Sequence, residues 1–436
     1  MSSSIVTYGT LKTITLRLLD YCRTSNWAGW DPYDALNSPI FKYVSFVDFR
    51  WTYIAITQLM KRSPVNLRPL LFVPKTENPK AIALFLMSFL KLKRLGLLND
   101  ESLIQLMIQK LIKLRSSAYS LTRSHESAIY NLQPNNPNNP INPTNPSNSI
   151  NQTNSDNSYW CWGYSFPWQT RTILVPRGYP NLVCTTFVAN ALLDLYENHN
   201  DSSYLEMAKS SAEYIVNELY WEDGNGLASL SYPIPSLKTQ VHNANLLGAA
   251  LMTRVHKFSG EKKFLTIALK VARYSASRQH ADGSWSYGEH STQRWIDNFH
   301  TGYNLCALRS ISEYAETSEF DEVIYRGFKF YQNNFFTQEG IPKYFHDRLY
   351  PVDIHNVAQS IITLLTFKDL DKNNINLAQK IIYWAFSNMW DEKGYFHYQI
   401  NRYYRIKIPY IRWSQAWMLL ALTNLLDYPW PLYERI

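Results

Sequence analysis

From Ser203 onward the hydrophobic positions follow a two-part rhythm. First comes a run with apolar residues three and four apart and a charged opposite face: "SYLEMAKSSAEYIVNELY", "KKFLTIALKVARYSASRQ", "DEVIYRGFKFYQNNFF" and "NLAQKIIYWAFSNMW". A glycine turn ringed by aromatic residues follows, then a polar approach. The second run has almost no charged face: "NANLLGAAL", "GYNLCALRS", "VAQSIITLL" and "WSQAWMLLAL", with "VANALLDLY" ahead of the series. A helix with one charged stripe stands at a surface, and one without it is enclosed. The pattern predicts outer helices alternating with inner ones.

The rhythm is periodic. The amides Asn190, Asn245, Asn304, Gln359 and Gln415 are spaced 55, 59, 55 and 56 residues apart. The turn glycines Gly224, Gly283, Gly340 and Gly394 follow at 59, 57 and 54. A fixed period of this size marks a repeat architecture. Upstream, "NPKAIALFLMSFLKLKRL" and "ESLIQLMIQKLIKLRSS" continue the alternation, and "FVDFRWTYIAITQLMKR" supplies a further helix. The expected fold is all-α: a single α/α-toroid domain over residues 1–436, built from about six helical hairpins with short two-stranded turns near the glycines. Within it, residues 131–158, "NLQPNNPNNPINPTNPSNSINQTNSDNS", are almost all Asn, Pro and Ser. Such a stretch has nothing to bury, so it reads as a disordered insertion.

Composition narrows the function. Aromatic residues make up 15% of the chain, with 31 Tyr and 14 Trp. Rings stack on the apolar faces of sugars, and they also fill helical cores with their polar tips outward. The net charge of +8 is spread along the chain and tolerates an acidic glycan. No stacked-base motif or zinc-finger spacing points to nucleic acid. The four cysteines form no CxxC pair, and Cys184 and Cys306 lie in apolar helical runs. "MSSSIVTYGTLKTITLRLLDYC" lacks a secretory pattern, and "AIALFLMSFLKL" is too short to span a bilayer. The expectation is a cytoplasmic protein with no transmembrane segment.

In a toroid the loops that enter the inner helices meet at one mouth. Those approaches carry His242, Asp297, His300, Asp353 and His355 as candidate catalytic groups. Candidate substrate-binding residues are Asn245, Trp285, Arg294, Trp295, Asn298, Tyr410, Arg412 and Trp413, with Trp162, Tyr164, Trp168 and Arg171 from "WCWGYSFPWQTR". Each has a structural alternative. An acid at a helix start is a cap, and a recurring amide is a satisfied core group. The N-terminal loop "NWAGWDPYDALNSP" brings Trp27, Trp30, Asp31 and Tyr33 to cover one end of the ring or join the mouth. Three histidines and an aspartate could hold a metal, but no HxxxH or HEXXH spacing appears, so neither metal nor cofactor is expected.

The repeat resembles those of six-hairpin glycosidases, polyuronate lyases and glucuronyl epimerases, and of terpenoid cyclases and protein prenyltransferases. "QHADGSW", Gln279 to Trp285, matches the Q-x-x-x-G-x-W motif of squalene cyclases, with Tyr274 as its leading aromatic residue. The DxDD and DDxxD motifs of terpenoid chemistry are absent. "WDPYDALNSP", "KRSPVNLRPLL" and "WIDNFHTGY…YPVDIH" are similar to a toroid family associated with bacterial and archaeal surface-polysaccharide synthesis. That resemblance covers the chain apart from the insertion, and it implies an oligo- or polysaccharide partner.

Three chemistries stay open among these residues. Glycoside cleavage needs two carboxyl groups, for which Asp297 and Asp353 are the best pair. Elimination or epimerisation needs a base, a second proton carrier and a cation. His242, His300, His355, Tyr410, Arg294 and Arg412 supply those types. A non-catalytic glycan-binding protein would tolerate loss of Asp297 and Asp353 but not of Trp285 or Trp295. A terpenoid-type enzyme would require an apolar cavity.

Overall fold

A computed structural model describes residues 6–43, 50–116 and 159–430 of the chain. The Asn/Pro-rich stretch 131–158 lies outside the described residues. Among the described residues, six inner helices form a closed ring: Pro79–Arg94, Leu182–His199, His242–Ser259, Asn298–Ala315, Ile354–Thr366 and Ala416–Leu426. Each packs on the next, and the last packs on the first. Outside them stand Glu101–Lys113, Ser202–Tyr214, Lys262–Ser277, Asp321–Asn334 and Asn373–Met389, each against the inner helix that precedes it in the chain. The sixth outer position is filled by Tyr8–Thr24, which packs on Ala416–Leu426. The packed hairpin is therefore inner helix then outer helix. The sequence repeat, outer then inner, steps across two hairpins, and the N-terminal helix closes the count.

The contrast between the two helix classes follows from burial. Ala416–Leu426 is buried along almost its whole length, whereas Lys262–Ser277 buries one stripe that includes Phe264, Ala268, Val271, Ala272 and Ser275. Asn78, Asn181, Asp297 and Asp353 cap inner helices, each side chain accepting a backbone N–H of the first turn. The glycine turns carry the short β structure. Tyr220–Glu222 pairs antiparallel with Ala228–Leu230, and Trp390–Asp391 with Tyr395–Phe396. A third small sheet joins Val352–Asp353, Gln399–Ile400 and Arg405–Ile406, and holds the start of the Ile354–Thr366 helix in place.

"QHADGSW" ties neighbouring hairpins together. Gln279 Nε2 donates to the carbonyls of Gly283 and Val323, at 3.1 and 2.9 Å. Trp285 is buried against Gly327, and its Nε1 donates to the Ser275 carbonyl at 3.1 Å. Gly283 sits at φ +91°, a left-handed conformation.

The helix Arg50–Arg62 lies outside the ring and packs on Ala35–Asn37 and Trp168–Gln169. The N-terminal loop joins it at the mouth. Trp27 is buried between Phe85 and Phe89, and Asp31 and Asp34 are both buried. All four cysteines are free, and among the described residues no helix is long and apolar enough to cross a membrane.

Candidate functional site

At the N-terminal end of the inner ring lies a cavity of about 430 Å³. Its lining draws on the first turn of inner helices, with Lys80, Val183, Asn243, His300 and His355, and on Arg412 and Trp413 from the turn before Ala416–Leu426. Loops add Tyr33, Tyr164, Phe166, Trp168, Tyr232, Tyr287, Trp295 and Tyr344, and the outlying helix adds Gln58 and Lys61. The cavity is thus aromatic-walled but carries several ionisable groups.

Asp297 serves two purposes there. Its Oδ1 accepts the His300 backbone N–H at 3.0 Å, which is a helix cap. Its Oδ2 accepts Trp295 Nε1 at 2.9 Å and lies 2.7 Å from His300 Nδ1. The carboxylate fixes the imidazole and leaves Nε2 as the nitrogen available to a ligand. Trp295, 38% exposed at the rim, stacks on Tyr287 at 4.5 Å and 15°. The pair presents a flat ring surface.

His355 stands deeper, 1% exposed and packed between Phe299, Trp413 and Trp417. Its Nε2 shares a hydrogen with the Tyr303 hydroxyl at 2.6 Å. Burial, reinforced by the charges of Lys80 and Arg412, pulls this imidazole well below its ordinary pKa. Burial pushes the Tyr303 phenol well above its own. Both groups are neutral at physiological pH, and a hydrogen bond links them beside the cavity.

Arg412 also lines the cavity, but its fork is committed. Nε and Nη2 bind Asp31 Oδ2 and Oδ1 at 2.6 and 2.8 Å, which pins the N-terminal loop to the last hairpin. Lys61 Nζ donates to the Tyr33 hydroxyl at 2.6 Å. Behind this wall Arg68 bonds Asp34 at 2.7 Å, and burial still raises that carboxyl to about 6.

The sequence candidates divide cleanly. Asp297, His300, His355, Tyr164, Trp168, Trp295, Arg412 and Trp413 meet in the cavity. Asp353 does not reach it. Its Oδ1 accepts the His355 backbone N–H and Trp413 Nε1, at 2.9 and 3.0 Å, and its Oδ2 accepts Gln399 Nε2 at 3.0 Å. It is 0% exposed, and burial raises it to about 6. The pairing of Asp297 with Asp353 as two working carboxylates therefore fails on access. His242 is also sealed, with Nε2 at 2.9 Å from Glu289 Oε1, while its neighbour Asn243 takes the lining position.

Five further candidates belong to the framework. Trp162 Nε1 donates to the Leu111 carbonyl, and Asn245 accepts the Leu230 N–H and donates to Ser275. Asn298 accepts from Tyr331 and Ser360, Tyr410 packs on Tyr398, and Trp285 is held as described above. Arg171 and Arg294 are exposed outside the lining. No three His, Cys, Asp or Glu side chains converge on a metal-sized site among the described residues.

Lys80 and Tyr303 are not among the sequence candidates, and Lys61 reads from the sequence only as half of a basic pair that ends an apolar run. Only Lys80 had a visible signal: a lone cation just after an Asn-Pro helix start, inside an otherwise apolar run.

No protein-family model and no curated protein matches the sequence. Solved structures do. A family 76 glycoside hydrolase from a bovine Bacteroides thetaiotaomicron strain matches with TM-score 0.57 and 11% identity, over 81% of this chain and 69% of that one. A GH76 alpha-mannanase of Bacteroides thetaiotaomicron matches with TM-score 0.55 and 10% identity, over 81% and 87%. Cellobiose 2-epimerase from Bacillus thermoamylovorans matches with TM-score 0.54 and 9% identity, over 80% and 87%. The chain has the six-hairpin α/α-toroid fold of these proteins.

Proposed function

We propose that this protein is a carbohydrate-active enzyme that moves a proton at a sugar carbon, by epimerisation or elimination, on a surface or exopolysaccharide intermediate. One observation carries the reading. Two proton-handling units, His300 oriented by Asp297 and the Tyr303–His355 pair, border one aromatic cavity, while the second carboxylate is sealed behind it.

In this reading His300 Nε2 removes the proton. Asp297 holds the ring in place and balances the imidazolium that forms. Tyr303, relayed by His355, donates a proton, to the opposite face of the carbanion in epimerisation or to the departing oxygen as its C–O bond breaks in elimination. The Tyr287–Trp295 stack and the Tyr164 and Trp168 rings pack on the sugar. Two-carboxylate hydrolysis is disfavoured, because it needs both acids beside the scissile bond. Terpenoid chemistry is disfavoured by the ionisable lining. That epimerases stand among the structural neighbours, beside GH76 enzymes, is compatible with the proposal.

Asp297→Asn is the direct test. Asn caps a helix about as well as Asp, so the fold should stand. An amide at Oδ2 no longer favours a proton on His300 Nδ1, and turnover should fall by about 10²–10⁴-fold with a shifted pH profile. Unchanged turnover, on a sugar the wild type converts, would remove His300 as the base.

A further inference from the structure

We propose that Lys80 is an anion-recognition residue of this cavity, and that the sugar it selects carries a carboxylate. This rests on the cavity being the sugar site.

Lysine is almost never fully buried without a partner. Lys80 is 3% exposed and lines the cavity. Among the described residues no carboxylate pairs with its Nζ, which instead stands over rings: Phe187 at 4.0 Å, Trp417 at 5.1 Å and Tyr303 at 5.5 Å. Such rings attract a cation without neutralising it.

The surrounding acids are all engaged. Asp297 accepts from Trp295 and His300, Asp31 holds Arg412, and Asp353 accepts three internal donors. None remains to serve as the counter-ion. The inner helices also direct the positive ends of their dipoles at this end of the ring. The unfilled place is for a negative group that arrives with the ligand. A single ammonium matches a carboxylate. The fork of Arg412 is taken by Asp31, and the Lys61 ammonium on the same lining is engaged by the Tyr33 hydroxyl, so the charge left for a ligand at this point is that of one ammonium.

The charge state agrees with the geometry. Burial, then the Arg412 charge, lowers the Lys80 pKa well below 10.5, against weaker support from Cys184 and Asp31. His355, which lines the same cavity from Ile354–Thr366, is itself held neutral. A bound carboxylate raises the lysine again. Uronate binding should therefore take up a proton at pH values above the free lysine's pKa, and a neutral sugar should take up none.

The experiment is titration calorimetry on the full chain. The probes are a glucuronate-containing disaccharide, its glucose counterpart and a glucose phosphate, each in two buffers of different ionisation enthalpy. The wild type should bind the uronate about 10-fold or more tighter than the neutral counterpart, as expected for one charge-assisted hydrogen bond. In Lys80→Met and Lys80→Gln the two affinities should converge and the buffer-dependent heat should vanish. Thermal unfolding of each variant verifies its fold. Equal affinities in the wild type, or a preference that survives both substitutions, would overturn the assignment to Lys80. Tighter binding of the phosphate would overturn the choice of a carboxylate. Absence of binding by all three probes would overturn the sugar-site reading itself, and the Lys80 assignment with it.

Discussion

Asp353 shows what burial does to a single group. Its carboxyl is sealed under Trp413 and raised from 3.8 to about 6. Between those values the folded protein holds a proton that the unfolded chain releases. The contribution of Asp353 to stability is therefore greatest at low pH and is lost as pH rises through about 6. Asn at this position keeps an oxygen for the His355 N–H and Trp413, and Gln399 can turn its amide to meet the new NH₂. Asp353→Asn should therefore gain stability relative to the wild type as pH is raised from about 4 to about 7. Urea unfolding at several pH values measures this. A wild-type advantage that grows with pH would contradict it.

At the scale of elements, the turns set how one hairpin meets the next. A Cβ on Gly283 would lie 2.4 Å from the Arg326 carbonyl oxygen, and the residue's φ is +91°. Gly283→Ala should destabilise the protein by more than about 1 kcal/mol, read as a lower urea midpoint at unchanged slope. The same region shows how far sequence pattern reaches. The 55–59-residue amide period locates the inner helices, since charge disappears from one run in every two. It does not say where each amide points. Asn245 turns outward to the Leu230 N–H, and Gln415 brackets both backbone groups of Phe396. These two amides stitch helix to hairpin, whereas Asn190 and Gln359 donate within their own helices, to the Thr186 carbonyl and the Thr363 hydroxyl. The difference is angular, a matter of rotation about the helix axis, and spacing alone does not carry it. Asp297 and Asp353 hold the same N-cap position, yet only Asp297 lines the cavity, because Trp413 and Gln399 close over Asp353. Tyr303 was not legible, because its role depends on His355, 52 residues away.

For the whole molecule, closure is the decisive feature. About six hairpins were legible from the repeat, but the use of Tyr8–Thr24 as the sixth outer helix was not, because that contact joins the two ends of the chain. The flanks of the Asn/Pro-rich stretch also meet: the Ser116 N–H donates to the Cys161 carbonyl at 2.9 Å. Residues 117–130 alone suffice to bridge such near neighbours. Deleting 131–158 should leave the urea midpoint unchanged, since lengthening or shortening a long loop alters closure entropy only slightly. A large loss of stability would show that the stretch belongs to the fold.

Proton transfer at a sugar carbon leaves an isotopic record, which mass spectrometry reads in glycans incubated with the protein in heavy water. Uronate-containing and neutral oligosaccharides should be compared. Epimerisation should leave one carbon-bound deuterium at unchanged chain length, and elimination an unsaturated end, with either signal lost in His300→Asn. Chain cleavage by addition of water, with no deuterium on carbon, would contradict proton transfer at carbon and return the assignment to hydrolysis. Binding without any chemical change across the panel would contradict it as well and make the protein a glycan-binding module.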